Sequence, residues 1–318
     1  MVGQGVSLII PTHNRSSTLL RVLGAVQSQT VPQDSFETVV VDDGSEDDTE
    51  AKVSELKRAA SGMRLTYLRQ QHRGPAAARN AGLAASTGST VVLLGDDTIP
   101  SLDLLEQHLR YHENHNRDGM LAVVGRVAWP IQMRTTPFVR FSGVAGPQFG
   151  YACMKPKTPL PYKRFYTSNL SFRRTLIQGL DYVFDEDFTS AMWEDTELGY
   201  RLARRGMVLH YLPDAVVHHE HPTSLAATYR RFVKIGEVSR VMLQKHPELE
   251  PEIHSRRKLR LIHGLTFGLG AVVPLADRID SAGLPLPKAL YWLILAAAYA
   301  RGAARFRDGP PRATGSRT

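Results

Sequence analysis

The fold class follows from the stretch TVVVDDGS, which occupies residues 38–45. Its first four residues, Thr38–Val41, are β-branched and favour a buried strand. Asp42, Asp43 and Gly44 then end the strand, because Asp and Gly are typical turn residues. Taken alone, such a sequence is compatible with a plain turn as well as with a ligand site at the end of a strand.

The same pattern, an apolar run that ends in polar residues, occurs on both sides of this stretch. Val6–Ile10 precedes a polar cluster at 12–14, and Thr90–Leu94 precedes another at 95–97. A further strand is predicted at Leu65–Leu68, and helical segments such as the Ala-rich Pro75–Thr87 separate the strands. Strands that alternate with helices predict a mostly parallel sheet covered on both faces. Ligands of such sheets bind at the carboxyl ends of the strands, so we expect a nucleotide beside the polar clusters.

The second hundred residues are less regular. Leu121–Trp129 and Met207–Val217 each predict a strand, and Trp193–Arg205 predicts an amphipathic helix that opens with two acidic residues. Residues 130–165 are rich in Pro, Gly and aromatic residues without periodicity, which predicts a long loop. After residue 225 the chain is predicted to be mainly helical.

The composition is that of an ordinary globular protein, with 42% hydrophobic and 22% charged residues over 318 positions. Cys153 is the single cysteine, which excludes an intrachain disulfide and suits a reducing compartment. The N-terminus lacks the pattern of a cleaved secretory signal. We therefore expect the protein in the cytoplasm or on the inner face of the cell membrane.

The net charge of +8 belongs to the C-terminal part of the chain. From residue 226 onward there are 16 Lys/Arg and 7 Asp/Glu, whereas residues 1–225 carry 23 and 24. Two apolar stretches, Leu259–Ala276 and Leu284–Ala303, lie in this basic part. The basic residues that flank them are Arg256, Arg257, Lys258, Arg301, Arg305 and Arg307. We expect this region to bind an anionic membrane surface without crossing it. A soluble helical cap and a re-entrant hairpin are the alternatives.

Asp96 and Asp97 form a carboxylate pair at a predicted strand end. Oxygen ligands of this kind suit a hard divalent cation, which can also bridge phosphate oxygens. An acidic pair that stabilises the start of a following helix is the alternative.

Five motifs occur in order at the predicted strand–helix junctions. They are SLIIPTHNR, VVVDDGSEDDT, GPAAARNAGLAASTG, VVLLGDDTIP and WEDTELGYRLARRG. In this combination the chain resembles the family 2 glycosyltransferases, which have the GT-A fold, from about Val6 to Pro222. The resemblance implies an α/β fold, with a GT-A-type nucleotide-binding, mostly parallel sheet and flanking helices. It implies one domain with a nucleotide-sugar-binding half at 1–110 and an acceptor-binding and catalytic half at 111–225. The sequence pattern adds a helical, basic C-terminal segment at 226–318.

The resemblance also implies a nucleotide site. The family binds the base beside the first strand and at the second Asp of its D-D-G-S motif, here Asp43, whose carboxylate can accept the imide N–H of uracil. Arg79 matches the family's A-R-N segment, which shapes the nucleotide site. A buried ion pair of its guanidinium with one of the aspartates is the other reading, and the two roles can coexist. The other residues implied near the nucleotide are Pro11, Thr12, His13 and, beside the ribose, Asp96.

For catalysis the resemblance implies a cation, Mg²⁺ or Mn²⁺, and a general base. Asp97 closes the family's D-x-D region and would bind the cation, although Gly95 stands where many relatives have a third Asp. His219 best fits the family's metal-proximal histidine, with His221 second. Asp195, the second residue of the family's E-D motif, would deprotonate the acceptor hydroxyl. A helix-start acid is the alternative reading of Asp195.

These roles predict an inverting, non-processive glycosyltransferase of cell-envelope polysaccharide synthesis. Its donor would be a nucleoside-diphosphate sugar and its acceptor a glycan or lipid-linked molecule, with no nucleic-acid partner. A processive synthase would carry Gln-x-x-Arg-Trp after the E-D helix, where the nearest match is Tyr229–Phe232. A nucleotidyltransferase would carry a Gly-rich basic loop after the first strand, where this chain has PTHNR. A non-catalytic nucleotide-binding module is the alternative from a different class.

Overall fold

The computed structural model describes residues 5–60, 62–133, 135–144, 150–221, 223–253 and 268–304. These residues form two compact units. The first unit takes its residues from 1–133 and 149–221, and the second takes them from 134–148 and 222–318. No helix in the described ranges is long and apolar enough to cross a membrane.

The first unit is built on one sheet that has eight strands in the described part of the chain. The strands are β1 (Val6–Thr12), β2 (Phe36–Asp42), β3 (Leu65–Arg69), β4 (Thr90–Leu94), β5 (Thr98–Pro100), β6 (Leu121–Ala128), β7 (Asn169–Arg173) and β8 (Val208–His219). Their order is β3-β2-β1-β4-β7-β6-β8-β5, and β1 pairs in parallel with both β2 and β4. β7 is antiparallel to β4 and β6. The predicted mostly parallel sheet is confirmed, and β5 and β7 are strands that sequence analysis did not predict.

Helices follow most of the strands. They are α1 (Ser16–Gln27), α2 (Thr49–Ala59), α3 (Pro75–Ala85), α4 (Leu104–His115), α5 (Pro137–Val144), α6 (Glu194–Arg204), α7 (Leu225–Lys245), α8 (Glu250–Ile253), α9 (Leu269–Ser281) and α10 (Lys288–Ala304). α1–α4 and α6 belong to the first unit, and the others belong to the second.

The two faces of the sheet carry separate apolar clusters, because neighbouring residues of a strand point to opposite faces. Leu8 and Ile10 of β1 share a cluster with Leu19 of α1, whereas Ile9 belongs to a cluster with residues of α3. A Cβ at Gly82 of α3 would lie only 2.5 Å from Ile9 Cγ2. The missing side chain therefore lets α3 pack directly on the strand.

The predicted long loop at 130–165 is partly wrong. It contains the helix α5 and two single-turn 3-10 helices, Tyr151–Cys153 and Tyr162–Arg164. The eight residues of α5, PFVRFSGV, make only about two turns, which is too short for a helical repeat to stand out in the sequence.

The second unit is a set of helices around one apolar cluster. Phe138 and Phe141 of α5 pack there with Tyr291 and Ile294 of α10. The buried Asp280 carboxylate of α9 accepts hydrogen bonds from Phe138 N and from the Tyr291 hydroxyl, each over 2.7 Å. One buried carboxylate thus fixes three helices of this unit.

Two glycines bring α7 and α10 into close contact. A Cβ at Gly302 would lie 1.9 Å from Val233 O, and one at Gly236 would lie 2.2 Å from Tyr299 O. The predicted helical C-terminal segment is confirmed for the described residues. Of the basic residues predicted to flank its apolar stretches, Arg301 is exposed. The rest lie outside the described residues: Arg256, Arg257, Lys258, Arg305 and Arg307.

Candidate active site

Residues from three strand ends meet at the carboxyl edge of the parallel strands. Asp43 N, just after β2, donates a hydrogen bond to Thr12 O at the end of β1 over 2.9 Å. Thr12 Oγ1 donates to Asp96 Oδ2 over 2.8 Å, which ties β1 to the turn after β4. Pro11 lies in the same strand end, opposite Val41 of β2. The structure thus gathers four of the residues predicted near a nucleotide at one edge.

Asp97 faces a histidine and an arginine. The short strand β5, which follows Asp97, pairs with the end of β8, and Glu220 N donates to Asp97 O over 2.8 Å. This pairing places His219 Nε2 3.5 Å from Asp97 Oδ2. The same oxygen accepts a short hydrogen bond from Arg15 Nη1, which also lies 3.3 Å from Asp96 Oδ1.

The two neighbouring carboxylates differ in acidity. Burial raises the pKa of Asp96 to about 6; Asp97 adds to this shift and the Arg15 guanidinium opposes it. Burial acts in the same direction on Asp97, but the His219 ring and Arg15 outweigh it and hold the pKa of Asp97 well below its usual range. Asp97 is therefore ionised at neutral pH, the form in which a carboxylate binds a cation.

The donors around Asp97 fit a divalent cation that takes further ligands from a bound molecule. Asp97 supplies an ionised carboxylate and His219 an imidazole that approaches the same oxygen. His221 contacts the His219 ring edge to face, with 5.9 Å between ring centroids. Within the described residues, no group of three or more His, Cys, Asp or Glu side chains could hold a metal ion. Mg²⁺ is commonly bound by one or two carboxylates together with substrate phosphates, so a small protein donor set suits it.

Four donors enclose the Asp43 carboxylate. Oδ1 accepts hydrogen bonds from Gln70 Nε2 and Arg73 N, over 2.7 and 2.8 Å. Oδ2 accepts one from Gly74 N over 2.8 Å and lies 2.9 Å from His72 Nδ1. A carboxylate has about four lone-pair sites, so the N–H of a base can bind Asp43 only by replacing one of these donors. The His72 side chain is 60% exposed and is the donor that can move aside.

His72 also stacks on His13, with ring centroids 4.3 Å apart. Both rings direct Nδ1 at Asp43 O, over 3.1 and 2.9 Å. The stacked pair forms a flat surface of the kind on which a nucleobase can stack. The family resemblance predicts His13 near the base but not His72, because a single histidine in a loop has no recognisable pattern.

Arg79 forms the predicted buried ion pair, but its partner is Glu194 and not one of the aspartates, so that part of the prediction is wrong. Arg79 Nη1 donates to Glu194 Oε1 over 2.9 Å, and both side chains are almost completely buried. Burial raises the pKa of Glu194 well above its usual range; the Asp195 charge adds to this shift, and Arg79 opposes it. The pair links α3 to the first residue of α6.

The segment before α6 packs on the turn that holds Asp43. A Cβ at Gly74 would lie 2.4 Å from Thr189 O. Asn80 Nδ2 of α3 donates to Phe184 O over 2.8 Å and to Glu186 Oε1 over 3.0 Å. These contacts bring the start of α6 to the same region of the first unit as the Asp43 turn.

Asp195 is the second residue of α6. The residue before the helix, Trp193, has a left-handed backbone with φ 73°. Asp195 Oδ1 accepts a hydrogen bond from Thr196 N over 2.7 Å. Glu194 is buried, whereas Asp195 is only half-buried. Of these two acids, Asp195 is therefore the one that a bound molecule can reach.

Matches to known protein families agree with this arrangement of strands and acids. The family model described as "Glycosyl transferase family 2" matches residues 7–139, and the one described as "Glycosyl transferase family group 2" matches residues 90–303. The chain belongs to glycosyltransferase family 2. The resemblance seen in the five sequence motifs is thereby confirmed.

Individual relatives and solved structures agree with the family. Validoxylamine A glucosyltransferase of Streptomyces hygroscopicus subsp. jinggangensis is 28% identical, and the match covers 78% of this chain. The chain spans only 62% of the length of that relative. Mannosyltransferase PcManGT from Pyrobaculum calidifontis, in complex with GDP-Man and Mn²⁺, has a TM-score of 0.62 at 22% identity, covering 94% and 86% of the two chains. S. aureus TarS 1–349 in complex with UDP-GlcNAc has a TM-score of 0.54 at 17% identity, covering 96% and 92%. The two structures confirm the GT-A-type fold.

Proposed function

We propose that this family 2 glycosyltransferase transfers a sugar from a nucleoside-diphosphate sugar to an acceptor hydroxyl, with inversion and without processive elongation. The observation that carries the proposal is the ionised Asp97 beside His219, at the same sheet edge as the Asp43 carboxylate. A base site and a cation site at one edge suit a nucleoside diphosphate, because its phosphates lie between the base and the sugar.

The donor would bind along this edge. The base would lie on the His13 ring beside Asp43, with the His72 ring moved aside, and Asp96 would lie near the ribose. Asp97 and His219 would hold Mg²⁺ or Mn²⁺, which neutralises the charge that develops on the leaving diphosphate. The presence of Mn²⁺ and GDP-Man together in the Pyrobaculum mannosyltransferase supports this assignment.

Asp195 is proposed as the general base. It would take the proton of the acceptor hydroxyl as the oxygen attacks the anomeric carbon. Attack on the face opposite the leaving diphosphate inverts the anomeric configuration. Glu194 is bound to Arg79, which leaves Asp195 as the accessible acid of the pair.

The acceptor is proposed to be a lipid-linked molecule or a polysaccharide of the cell envelope, glycosylated at the inner face of the membrane. The second unit exposes the apolar side chains Leu275 on α9 and Trp292 on α10. Arg278 and Lys288 lie about one turn from them on the same helices and are exposed. Apolar and basic residues in this arrangement suit an anionic membrane surface.

Donor binding with and without cation tests the proposal. Wild type and Asp97→Asn are titrated with GDP-mannose and UDP-sugars in Mn²⁺ and in EDTA. We expect Mn²⁺ to tighten binding of a donor to wild type by about tenfold or more, and Asp97→Asn to lose this difference, as for an impaired metal site. The exposed Asp34→Asn is the matched control. Equal cation dependence in wild type and Asp97→Asn would rule out this role of Asp97.

Release of nucleoside diphosphate separates the enzyme from a non-catalytic binding module. Such a module binds the donor without turnover. Slow donor hydrolysis by wild type, measured as release of UDP or GDP in Mn²⁺, is expected of the enzyme. Tight donor binding without any such release, alone or with added glycan acceptors, would favour the binding module.

A further inference from the structure

Arg15 is a cation placed on the carboxylate oxygen that faces His219. Its Nη1 donates to Asp97 Oδ2 and lies 3.3 Å from Asp96 Oδ1. His219 Nε2 approaches the same Asp97 oxygen to 3.5 Å. The guanidinium therefore occupies the Asp97 oxygen that, together with His219, would bind a divalent cation.

The backbone of Arg15 is fixed, whereas its side chain has room to move. Arg15 is the residue before α1, and its carbonyl accepts hydrogen bonds from Leu19 N over 3.0 Å and Thr18 Oγ1 over 3.1 Å. Its side chain is 38% exposed, against 14% for Asp97. A long side chain on a fixed helix start can leave the carboxylate without any change in the fold.

A guanidinium and a divalent cation cannot both bind Asp97 Oδ2 at their normal distances. A divalent cation binds a carboxylate oxygen at about 2.0–2.6 Å, and a charged hydrogen bond holds the guanidinium nitrogen at about 2.7–2.9 Å from the same atom. Two positive groups at such distances repel each other strongly in a partly buried site. A cation that binds Asp97 Oδ2 together with His219 therefore requires Arg15 to move away.

From this geometry we propose that Arg15 competes with the divalent cation for Asp97 and thereby couples cation binding to nucleotide binding. This inference rests on the proposed use of a cation at Asp97. Without nucleotide, Arg15 keeps the affinity of Asp97 for the cation low. A diphosphate offers the displaced guanidinium another anionic partner, so nucleotide and cation bind with positive cooperativity.

Mn²⁺ binding to the protein tests the proposal without reference to activity. Free Mn²⁺ is measured by electron paramagnetic resonance in titrations of wild type, Arg15→Gln and Arg15→Met, each alone and with UDP or GDP. We expect both variants to bind Mn²⁺ alone about tenfold more tightly than wild type, because the competing charge is gone. We also expect added nucleotide to tighten Mn²⁺ binding less in the variants than in wild type.

Two further variants separate competition from a general effect of charge. Arg15→Lys keeps a cation beside Asp97 and should stay close to wild type. Arg110→Gln removes an arginine that pairs with Glu106 on the surface of α4 and should leave Mn²⁺ affinity unchanged. Thermal unfolding in EDTA establishes that each variant is folded, and Arg15→Met serves as the charge-free variant if Arg15→Gln does not fold.

The outcomes distinguish this inference from the proposed function. If wild type binds Mn²⁺ with nucleotide, and the charge-free variants bind Mn²⁺ alone no more tightly than wild type, the competition is disproved while the cation site stands. If no protein binds Mn²⁺ with or without nucleotide, the cation site itself is disproved and the competition with it.

Discussion

The two consecutive acids at the start of α6, Glu194 and Asp195, differ in burial and in hydrogen-bond partner. Glu194 is buried and hydrogen-bonded to Arg79, and its pKa lies well above the usual range because of burial. Asp195 is half-buried and accepts a hydrogen bond from Thr196 N. Adjacent acids whose environments separate them in this way can take different roles, here a structural partner and the proposed base.

Replacement of Asp195 by Asn tests the proposed base. The rate of sugar transfer should fall by about 10²–10⁴-fold, which is the usual contribution of a general base. If no acceptor is at hand, the rate of donor hydrolysis should fall in the same way. Donor affinity should stay unchanged, because Asp195 acts on the acceptor. Rates at saturating donor and donor Kd values measure the two effects. A loss of less than about tenfold with intact donor affinity would exclude Asp195 as the base.

Glu194→Ala is the comparison variant for Asp195→Asn. It leaves the buried Arg79 guanidinium without its partner, which costs about 3–5 kcal/mol of the free energy of unfolding. Asp195→Asn should lower the same quantity by less than about 1 kcal/mol, as for a partly exposed side chain. Urea denaturation of the two variants measures the difference. Similar losses in both would contradict the division of roles.

Between secondary-structure elements, α4 is joined to β7 by a directed chain of hydrogen bonds. Asn116 Nδ2 donates to His112 Nδ1, and His112 Nε2 donates to Ser171 Oγ, over 2.9 and 2.8 Å. Ser171 Oγ donates to His108 Nδ1, and His108 Nε2 donates to Asn169 Oδ1, over 2.7 and 2.9 Å. Because an amide N–H starts the chain, each histidine accepts at Nδ1 and carries its proton at Nε2. Both histidines are therefore neutral in the folded protein.

This chain makes the stability of the first unit depend on pH. Burial lowers the pKa of His108 to about 4 and that of His112 to about 3. In the unfolded chain both groups titrate near pH 6.5, so below this pH the unfolded state binds more protons than the folded state. The free energy of unfolding therefore falls as pH decreases from 6.5 to 4, by about 1.4 kcal/mol per pH unit for each histidine.

His108→Gln should remove one histidine's share of this dependence. Between about pH 6 and 4.5 the free energy of unfolding of the variant should fall less steeply than that of wild type, by about 1.4 kcal/mol per pH unit. Only the difference between the two proteins is informative, since burial raises the pKa of Asp96 and Glu194, which gives the opposite dependence. Chemical denaturation measures this difference, with a change at the exposed His115, His115→Gln, as control. Equal slopes in wild type and His108→Gln would contradict a buried neutral histidine.

Across the whole molecule, sequence patterns predicted the features that depend on residues close together in the chain. The strands before Asp42 and Gly95 were predictable because apolar runs meet turn residues abruptly. β5, with three residues, and β7, with the polar ends Asn169 and Arg173, carry no such pattern. Short elements of this kind are specified by their partners in the sheet, which lie elsewhere in the chain.

In the candidate site, too, some residues were predictable from the sequence, whereas contacts between distant residues were not. Resemblance to the family predicted Asp97 and His219, and the β5–β8 pairing places them together. The contacts of Arg15 with Asp97 and of Arg79 with Glu194 join residues 82 and 115 positions apart. No local pattern encodes such pairs, so the bound guanidinium and the buried glutamate became visible only in the folded chain.

The second unit presents an apolar surface with basic residues on the same helices. Its exposed large apolar side chains include Val272, Leu275, Leu284, Trp292 and Leu293. On α9, Val272, Leu275 and Arg278 follow one another at intervals of three residues and so lie on one face. On α10, Lys288 precedes Trp292 by four residues, which places them on one face as well. Such faces suit the boundary between lipid headgroups and acyl chains.

Flotation with lipid vesicles tests this surface. Wild type should float with phosphatidylglycerol vesicles at low salt and much less with neutral vesicles, since each basic residue near an anionic surface contributes about 1 kcal/mol. Salt at about 0.5 M should reduce flotation by screening this attraction. The double variant Leu275→Glu/Trp292→Glu should lose flotation, because two carboxylates would enter the apolar boundary.

Ile131→Glu is the matched control, since Ile131 is an apolar residue of the first unit that is 92% exposed. If general hydrophobicity caused the binding, this change would weaken flotation as much as either change in the second unit. Flotation retained by Ile131→Glu and lost by the double variant would assign membrane binding to α9 and α10. Wild type that stays at the bottom of the gradient with anionic vesicles at low salt would disprove the membrane surface. The proposal of a lipid-linked acceptor would then lose the support that this surface gives it.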